Sequence, residues 1–543
     1  MYGARGLILW VSYMPISVLT SRLQYGNETQ QPIPVTGMTT GFNNRTGKYP
    51  ARWEINSLQA EGGPRWDLYI QGLAALQKKT ETDEQSHFGI AGIHGMPYAP
   101  YNGVGPVPGG SGGGFCPHGE TQFIAWHRTY VALYEQTLGS EIQHIASDYG
   151  RHRNASAYRE AALTFRLPYW DWATNPQLPL SCVQENITVN GPRGPLTLHN
   201  PLYSYKWQTY PLNQSQFPNS QNWSSQTTRA SDGHGDFSPD VVNKNLADVA
   251  GQIKDQVYRT FAYAETYDQM ASMADPAGFS FEAPHNLVHN AVGGLFASVD
   301  ITAFDALFML HHANVDRLAA LWTAVHPDAT HQSHSYASGG LYATAKGTNV
   351  TAGGPLKPFY RSDGKSFHTG LSVESIESFG YTYPELITPL KLRDPGQKKR
   401  IVVSRINKLY GTASSGVGGR EWFAQVAVNR SELQLPCNID IYVGDSFASR
   451  MALLDMPKHG VAHANIPLRR PIEGLGLNRG SETDRSQVES LLHKQLEVKV
   501  TKGNGYPIDA NEVLSLELNL VVMDVTPHSS KSEFPKYWNK IVR

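Results

Sequence analysis

Apolar positions recur along this chain with two different periods, and the change of period divides it. In Trp66-Asp-Leu-Tyr-Ile-Gln-Gly-Leu-Ala-Ala-Leu76, residues Trp66, Tyr69, Leu73 and Leu76 share one face of a helix, with Pro64 placed to open it. Phe123, His127, Tyr130 and Tyr134 mark the buried face of a second helix running through Leu138. Two further helical stretches follow, one around Pro284–Val292 and one around Phe308–Arg317, both rich in apolar residues. From about residue 390 the period becomes two. Val426–Val428, Ile439–Val443, Leu496–Val500 and Leu514–Leu520 alternate between turn residues and predict a β-sandwich. The expected fold is therefore a mainly helical core over 24–388, with long loops, followed by a β-rich domain over 395–543.

Other stretches lack either period. Residues 24–50 predict an irregular lead-in. The run Ser86–Tyr98 carries too much Gly and Pro to predict a helix. Residues 181–245, rich in Ser, Asn and Gln, predict a long surface excursion. Gly109–Gly114 is a glycine loop with no Lys-Ser/Thr after it, so phosphate binding is not indicated; a tight turn beside a site is.

At 543 residues the chain is long enough for two or more domains and a large core. A net charge of −1 gives no reason to expect a nucleic-acid partner. The apolar run Gly6–Leu19 behind Arg5 is too short to span a bilayer, so no membrane anchoring is expected, and residues 1–23 read as a signal peptide. Asn-x-Ser/Thr triplets at Asn27, Asn44, Asn154, Asn186, Asn213, Asn222, Asn349 and Asn429 add to an expectation of secretion and glycosylation, with a cytoplasmic chain as the alternative. Cys116, Cys182 and Cys437 are too few for a disulfide framework.

The chemistry concentrates in histidines. His285 and His289 stand four apart and project from one helix face, and His312 on the next helix can reach the same point. Three neutral imidazoles suit copper, zinc, iron or nickel; the lack of carboxylate or thiolate favours copper. His94, His118 and His127 form a second candidate triad, two from loops and one from a helix. A zinc or di-iron hydrolase is disfavoured because such sites include carboxylate ligands.

These segments resemble the tyrosinase family of dinuclear copper proteins. The resemblance rests on Cys116-Pro-His118, Trp126-His127-Arg128, Pro168-Tyr-Trp170-Asp-Trp172, Pro284-His285-Asn-Leu-Val-His289 and His311-His312-Ala-Asn-Val-Asp316-Arg317. Tyr381-Thr-Tyr383 is similar to the motif that closes the family's catalytic core, and a β-rich tail makes the chain most similar to long fungal members.

The resemblance implies copper A on His94, His118 and His127, and copper B on His285, His289 and His312. It implies O2 as co-substrate and a small phenol as substrate. A thioether from Cys116 to His118 is implied, as is a water held by Glu282 and Asn286 that accepts the phenol's proton. Asn290, Phe308 and Asp316 would sit around the ligands, Asp316 paired with Arg317. Ala306 departs from the family's usual Asp-Pro, and the tail has only Cys437 where some long members carry a cysteine pair. The activity expected is oxidation of o-diphenols to o-quinones and ortho-hydroxylation of monophenols, feeding melanin or another phenolic pigment. A catechol oxidase and a haemocyanin-like oxygen carrier are the alternatives. The tail is expected to cover the site and keep it latent, with Lys399-Arg400 as a candidate processing point.

Overall fold

The computed structural model describes residues 31–233, 237–389, 395–411, 419–474, 482–503 and 505–543. The expected leader and the Asn27 triplet lie outside them. Among the described residues the helices Gly63–Lys78, Phe123–Asp148, Pro239–Tyr263, Glu282–Val292 and Leu307–Val325 frame the helical core. They share one continuous apolar cluster that includes Leu73, Tyr130, Leu138, Val257, Phe261, Val288, Phe308 and Leu321. Leu307–Val325 is buried almost all round, which places it at the centre of the bundle.

Ser86–Tyr98 departs from its expectation, because His87–His94 is an α-helix. The Ser86 hydroxyl accepts from Gly89 N at 2.9 Å and caps it. Burial of Ile90, Ala91 and Ile93 offsets the glycine penalty of about 1 kcal/mol per residue. A Cβ on Gly89 would come within 2.5 Å of the Asp83 carbonyl, so glycine here is what lets the preceding turn close. His94 is therefore held at a helix C-terminus rather than on a loop.

Residues 181–245 are likewise not a loose surface excursion. Asn186–Gly191 and Gly194–His199 pair as an antiparallel hairpin. Leu202, Tyr205, Trp207 and Phe217 are then buried against the core, with Trp207 packing on Phe304. Arg229 anchors the stretch through a two-pronged contact with Asp305 at 2.8 and 2.9 Å. The helix Pro239–Tyr263 already starts inside it, capped by Ser238. The polar residues line its outer side; Asn186, Asn213 and Asn222 are exposed, as are Asn44, Asn154 and Asn349. Asn429 is half-buried and caps a short turn through Ser431 N.

The domain boundary also moves. Pro395–Tyr410 is a helix whose Val402, Val403, Ile406 and Tyr410 are buried in the core cluster. The expected 395–543 unit therefore begins with an element that packs on the helices Leu307–Val325 and Pro239–Tyr263.

Beyond it, two four-stranded antiparallel sheets face each other. One orders Val461–Pro467, Gly419–Asn429, Glu517–Thr526 and Lys536–Val542; the other Pro507–Ile508, Leu496–Lys502, Cys437–Val443 and Ser446–Leu453. Ala424, Val426 and Val428 from the first meet Ile439, Ile441 and Val443 from the second, as the alternation requires. Leu514 is 88% exposed, because the strand expected there starts only at Glu517 and runs on to Thr526.

Candidate dinuclear metal centre

Four helices and one turn bring the six histidines together. His94 ends its short helix, His118 sits in the turn after Cys116-Pro117, and His127 occupies the second turn of Phe123–Asp148. Tyr130 OH donates to the Ile90 carbonyl at 2.8 Å, and Tyr134 OH meets His87 Nδ1 at 2.9 Å, tying the first helix to the second. His285 and His289 project from Glu282–Val292, and His312 from Leu307–Val325. All six are buried.

The ring nitrogens are sorted by their partners. Nδ1–H of His94 donates to the Val299 carbonyl, of His127 to Phe123 and of His289 to Phe296, each at 2.8 Å. His285 Nδ1–H donates to Asn286 Oδ1 at 2.9 Å. That leaves the Nε2 lone pairs pointing inward. Nε2 of His127 and His94 lie 3.3 Å apart, of His285 and His312 3.2 Å, and of His289 and His285 3.1 Å. Burial first, and neighbouring imidazoles second, hold His94, His118, His285 and His312 well below the ordinary histidine value. Burial lowers His127 to about 3 and His289 to about 4. At neutral pH the site is a set of uncharged nitrogen donors.

Converging lone pairs with no proton between them are the arrangement a cation completes. Within each triad the candidate ligand atoms lie within 4.8 Å of one another. The donor set contains no carboxylate, so it fits copper or zinc better than calcium or magnesium. The triads adjoin: His127 and His312 stack with centroids 4.3 Å apart. Phe308 fills the space beside them, 4.8 Å from His94 and 4.1 Å from His312.

His311 also falls within reach of the second group. Its ring stacks on His285 at 4.8 Å, and neither of its nitrogens has a hydrogen-bond partner. His312 places its Nε2 3.2 Å from His285 Nε2.

Each of the surrounding residues has its own partners. Glu282 accepts from Gly119 N at 2.6 Å, and from Ser272 Oγ and Met273 N at 2.8 Å, so it staples the His118 turn to the His285 helix. Asn286 orients His285, and its amide donates to the Ala452 carbonyl of the β domain at 3.1 Å. Asn290 faces away from the ligands and donates to Asn438 Oδ1 at 3.0 Å. Cys116 Sγ lies 3.3 Å from His118 Nδ1, with its thiol pushed up by burial. A Cβ on Gly114 would meet the His94 carbonyl at 1.9 Å, so the glycine loop does press its backbone against the site.

Asp316 and Arg317 do not pair with each other. Asp316 accepts from Arg128 Nε at 2.6 Å, Arg52 Nη1 at 3.2 Å, Tyr381 OH at 2.6 Å and Tyr383 OH at 2.7 Å. Burial alone would raise its carboxyl; Arg128 and Arg52 outweigh that and lower it. Arg317 turns the other way, to Asp171, Glu385 and Tyr410 OH. Neighbouring residues on a helix face different directions, and each finds its own partner. Arg128 follows His127, so this cluster locks the helix of one triad to the helix of the other. The Tyr-x-Tyr motif supplies two of its donors, and Trp170 N donates to the Leu310 carbonyl at 3.1 Å beside it. Arg52 and Glu135, paired at 2.9 Å, complete the cluster without any local pattern that marks them.

Comparison with known proteins decides among dinuclear histidine sites. The common central domain of tyrosinase matches residues 84–325, and the tyrosinase C-terminal domain matches residues 421–520. A tyrosinase of Podospora anserina is 32% identical over 409 residues, covering 70% of this chain and 69% of that protein. The chain belongs to the tyrosinase family. A Neurospora crassa tyrosinase is 33% identical over 391 residues, 66% of this chain and 55% of its own length. In fold, the chain is similar to a mushroom tyrosinase solved in latent and active forms, with a TM-score of 0.80, 21% identity, and 94% and 98% of the two chains covered. As a member of this family the chain is a phenol-oxidising enzyme, a tyrosinase or polyphenol oxidase, and its two histidine triads correspond to the family's dinuclear copper site.

Proposed function

We propose that copper bound by the two triads lets this chain oxidise o-diphenols to o-quinones and hydroxylate monophenols at the ortho position, with O2 as oxidant and a phenolic pigment as the downstream product. The stacking of His127 on His312 carries the reading, because it sets two three-nitrogen donor sets side by side. Two coppers there would supply the pair of electrons that O2 takes up. The protein's own part is to hold six neutral donors rigid and to keep water out of an aromatic chamber. A phenol must lose its proton to react, and Glu282 and Asn286 are the polar groups beside His285 that support a water for that step.

In the closed chain Asn286 is already spent on Ala452, and Ala452 and Leu454 pack into the core cluster. The tail therefore acts as an inhibitory cover, in keeping with the latent form of the mushroom enzyme of like fold. Release calls for a cut beyond Tyr410; Lys399-Arg400 stands in the helix that packs on the core. Cys116 is placed to form a thioether to the His118 ring, a two-electron oxidation that sheds two protons, with O2 as acceptor. Intact mass would then fall by two hydrogen atoms on copper loading in air. Secretion with glycans on the exposed Asn44, Asn154, Asn186, Asn213, Asn222 and Asn349 completes the proposal; a glycan-free chain from its native source would refute it.

Oxygen uptake by copper-loaded protein, with a monophenol and its matching o-diphenol, before and after limited proteolysis, tests the activity. Uptake with both, rising after cleavage, supports the proposal. Uptake with the diphenol alone makes this a catechol oxidase. Reversible O2 binding without turnover moves it to oxygen carriage.

A further inference from the structure

One turn of the β domain grips the surroundings of both triads. At the end of the strand Ser446–Leu453, the Ala452 carbonyl takes the Asn286 amide beside His285. Three residues on, Asp455 reaches the other triad. Its Oδ2 accepts from Ser298 Oγ at 2.5 Å and its Oδ1 from Val299 N at 2.8 Å. The same Val299 turns its carbonyl inward and accepts from His94 Nδ1–H at 2.8 Å. A carboxylate of the tail thus ends a chain of two hydrogen bonds, Asp455 to Val299 and Val299 to His94, whose last link sets the tautomer and aim of an imidazole of the first triad.

We infer that Asp455 is a positioning residue for the first metal site: by clamping Ser298 and Val299 it fixes the carbonyl that orients His94, so the covering domain also helps the site hold copper. The inference rests on the copper reading above. The bond at Val299 N holds the Ser298–Val299 peptide, which adjoins through the Val299 Cα the peptide that carries the carbonyl facing His94, and residues that orient a ligating histidine typically change metal retention roughly 10–100-fold. A simple cover needs only apolar contacts, which Ala452 and Leu454 already provide. Asp455 also lies close enough to Asp300 to help push that carboxyl up to about 6, behind burial as the main cause. Removing the Asp455 charge therefore relieves repulsion at the interface, and a loss of copper retention in such a variant does not come from a repelled tail.

The test compares copper release from the full-length, copper-loaded chain into an excess of chelator, following bound copper per chain and the paramagnetic signal of any copper left alone. Wild type is compared with Asp455→Ala, Asp455→Asn and, as a control on a separate tail contact, Asn438→Ala, which removes only the Asn290 partner. Expected is one copper leaving roughly 10–100-fold faster in Asp455→Ala, the second at the wild-type rate, with Asp455→Asn in between because its amide oxygen still accepts one bond. Asn438→Ala should release copper as wild type does. Hydrogen exchange at Val299 in the metal-free chain should quicken in the Asp455 variants. Wild-type release and exchange in Asp455→Ala, or equal acceleration of both coppers, overturns the inference. A wild-type chain that binds no copper would instead refute the copper reading, and the exchange measurement would still decide whether Asp455 clamps Val299.

Discussion

The imidazoles of His127 and His312 lie 4.3 Å apart with their planes 17° from parallel, although one belongs to the first triad and the other to the second. Their helices, Phe123–Asp148 and Leu307–Val325, are pinned one residue on from His127 and four on from His312, where Arg128 and Asp316 meet at 2.6 Å. The spacing of the two triads is thus inherited from a buried ion cluster in which none of the six histidines takes part.

Asp316→Ala should leave Arg52 and Arg128 buried without their shared acceptor. Breaking one side of a buried pair typically costs about 3–5 kcal/mol, a large fraction of a stability of about 5–15 kcal/mol. The expected result is a lower thermal midpoint for the catalytic core and faster copper loss from both triads. Tyr383→Phe, which removes one donor, should lower the midpoint less. A midpoint unchanged in Asp316→Ala would show the cluster to be dispensable.

Asn286→Leu keeps volume but removes the acceptor for His285 Nδ1. Copper affinity or turnover should fall by roughly 10–100-fold, measured on proteolytically opened enzyme so that the Ala452 contact plays no part. Wild-type affinity and turnover together would mean that His285 is held by packing alone.

Truncation should discriminate sharply around the helix Pro395–Tyr410. A chain ending at Gly411 keeps Tyr410 OH, 2.8 Å from Arg317 Nη1, together with the buried Val402, Val403 and Ile406. It should fold, bind copper and turn over faster than the full chain. A chain ending at residue 388 loses those side chains, each contributing roughly 1.5–3 kcal/mol of burial, and should be recovered unstable or insoluble. Equal stability of the two truncations would return the boundary to the Tyr-x-Tyr motif.

Acid should destabilise the metal-free chain. His87, His94, His118, His127, His285, His289, His311 and His312 all have depressed pKa values, with His87 lowered to about 4 by burial. Unfolded, they titrate near an ordinary value of about 6.5. From about 6.5 down to about 4 the unfolded chain therefore binds more protons, and stability falls as pH falls. Asp300, raised to about 6, works the other way, since its carboxyl is more easily protonated when folded. Glu54, Glu120 and Asp455 are raised by burial as well, but His199, His326, His368 and His463 are lowered and join the eight, so twelve groups against four keep the sign. The thermal midpoint of the apo-protein should drop between about pH 6.5 and pH 4 and stay nearly flat above, and a midpoint rising on acidification would contradict this reading.

Helix period alone put His285 and His289 on one face, and the apolar residues around them announced that this face was buried. Period-two alternation placed most strands of the β domain, because a strand with one face on a core must alternate. Where local pattern and long-range packing disagreed, packing prevailed. Two glycines argued against a helix at His87–His94, yet Ser86 and the buried face of that stretch stabilise one. Polar composition described 181–245 as surface, yet its few aromatic residues bind it to the core.

By itself the sequence determined the donor types, the helices that carry most of them and the family to which their order belongs, since each of these is written within a few residues. Only the tertiary structure decided which carbonyl aims each imidazole, that Asp316 serves Arg128 across 188 residues rather than its neighbour Arg317, that Asn290 faces the tail, and that Pro395–Tyr410 belongs with the core. Periodicity specifies a face, but a buried polar group takes whichever partner the closed fold brings within reach, and that partner carries no mark in the local pattern.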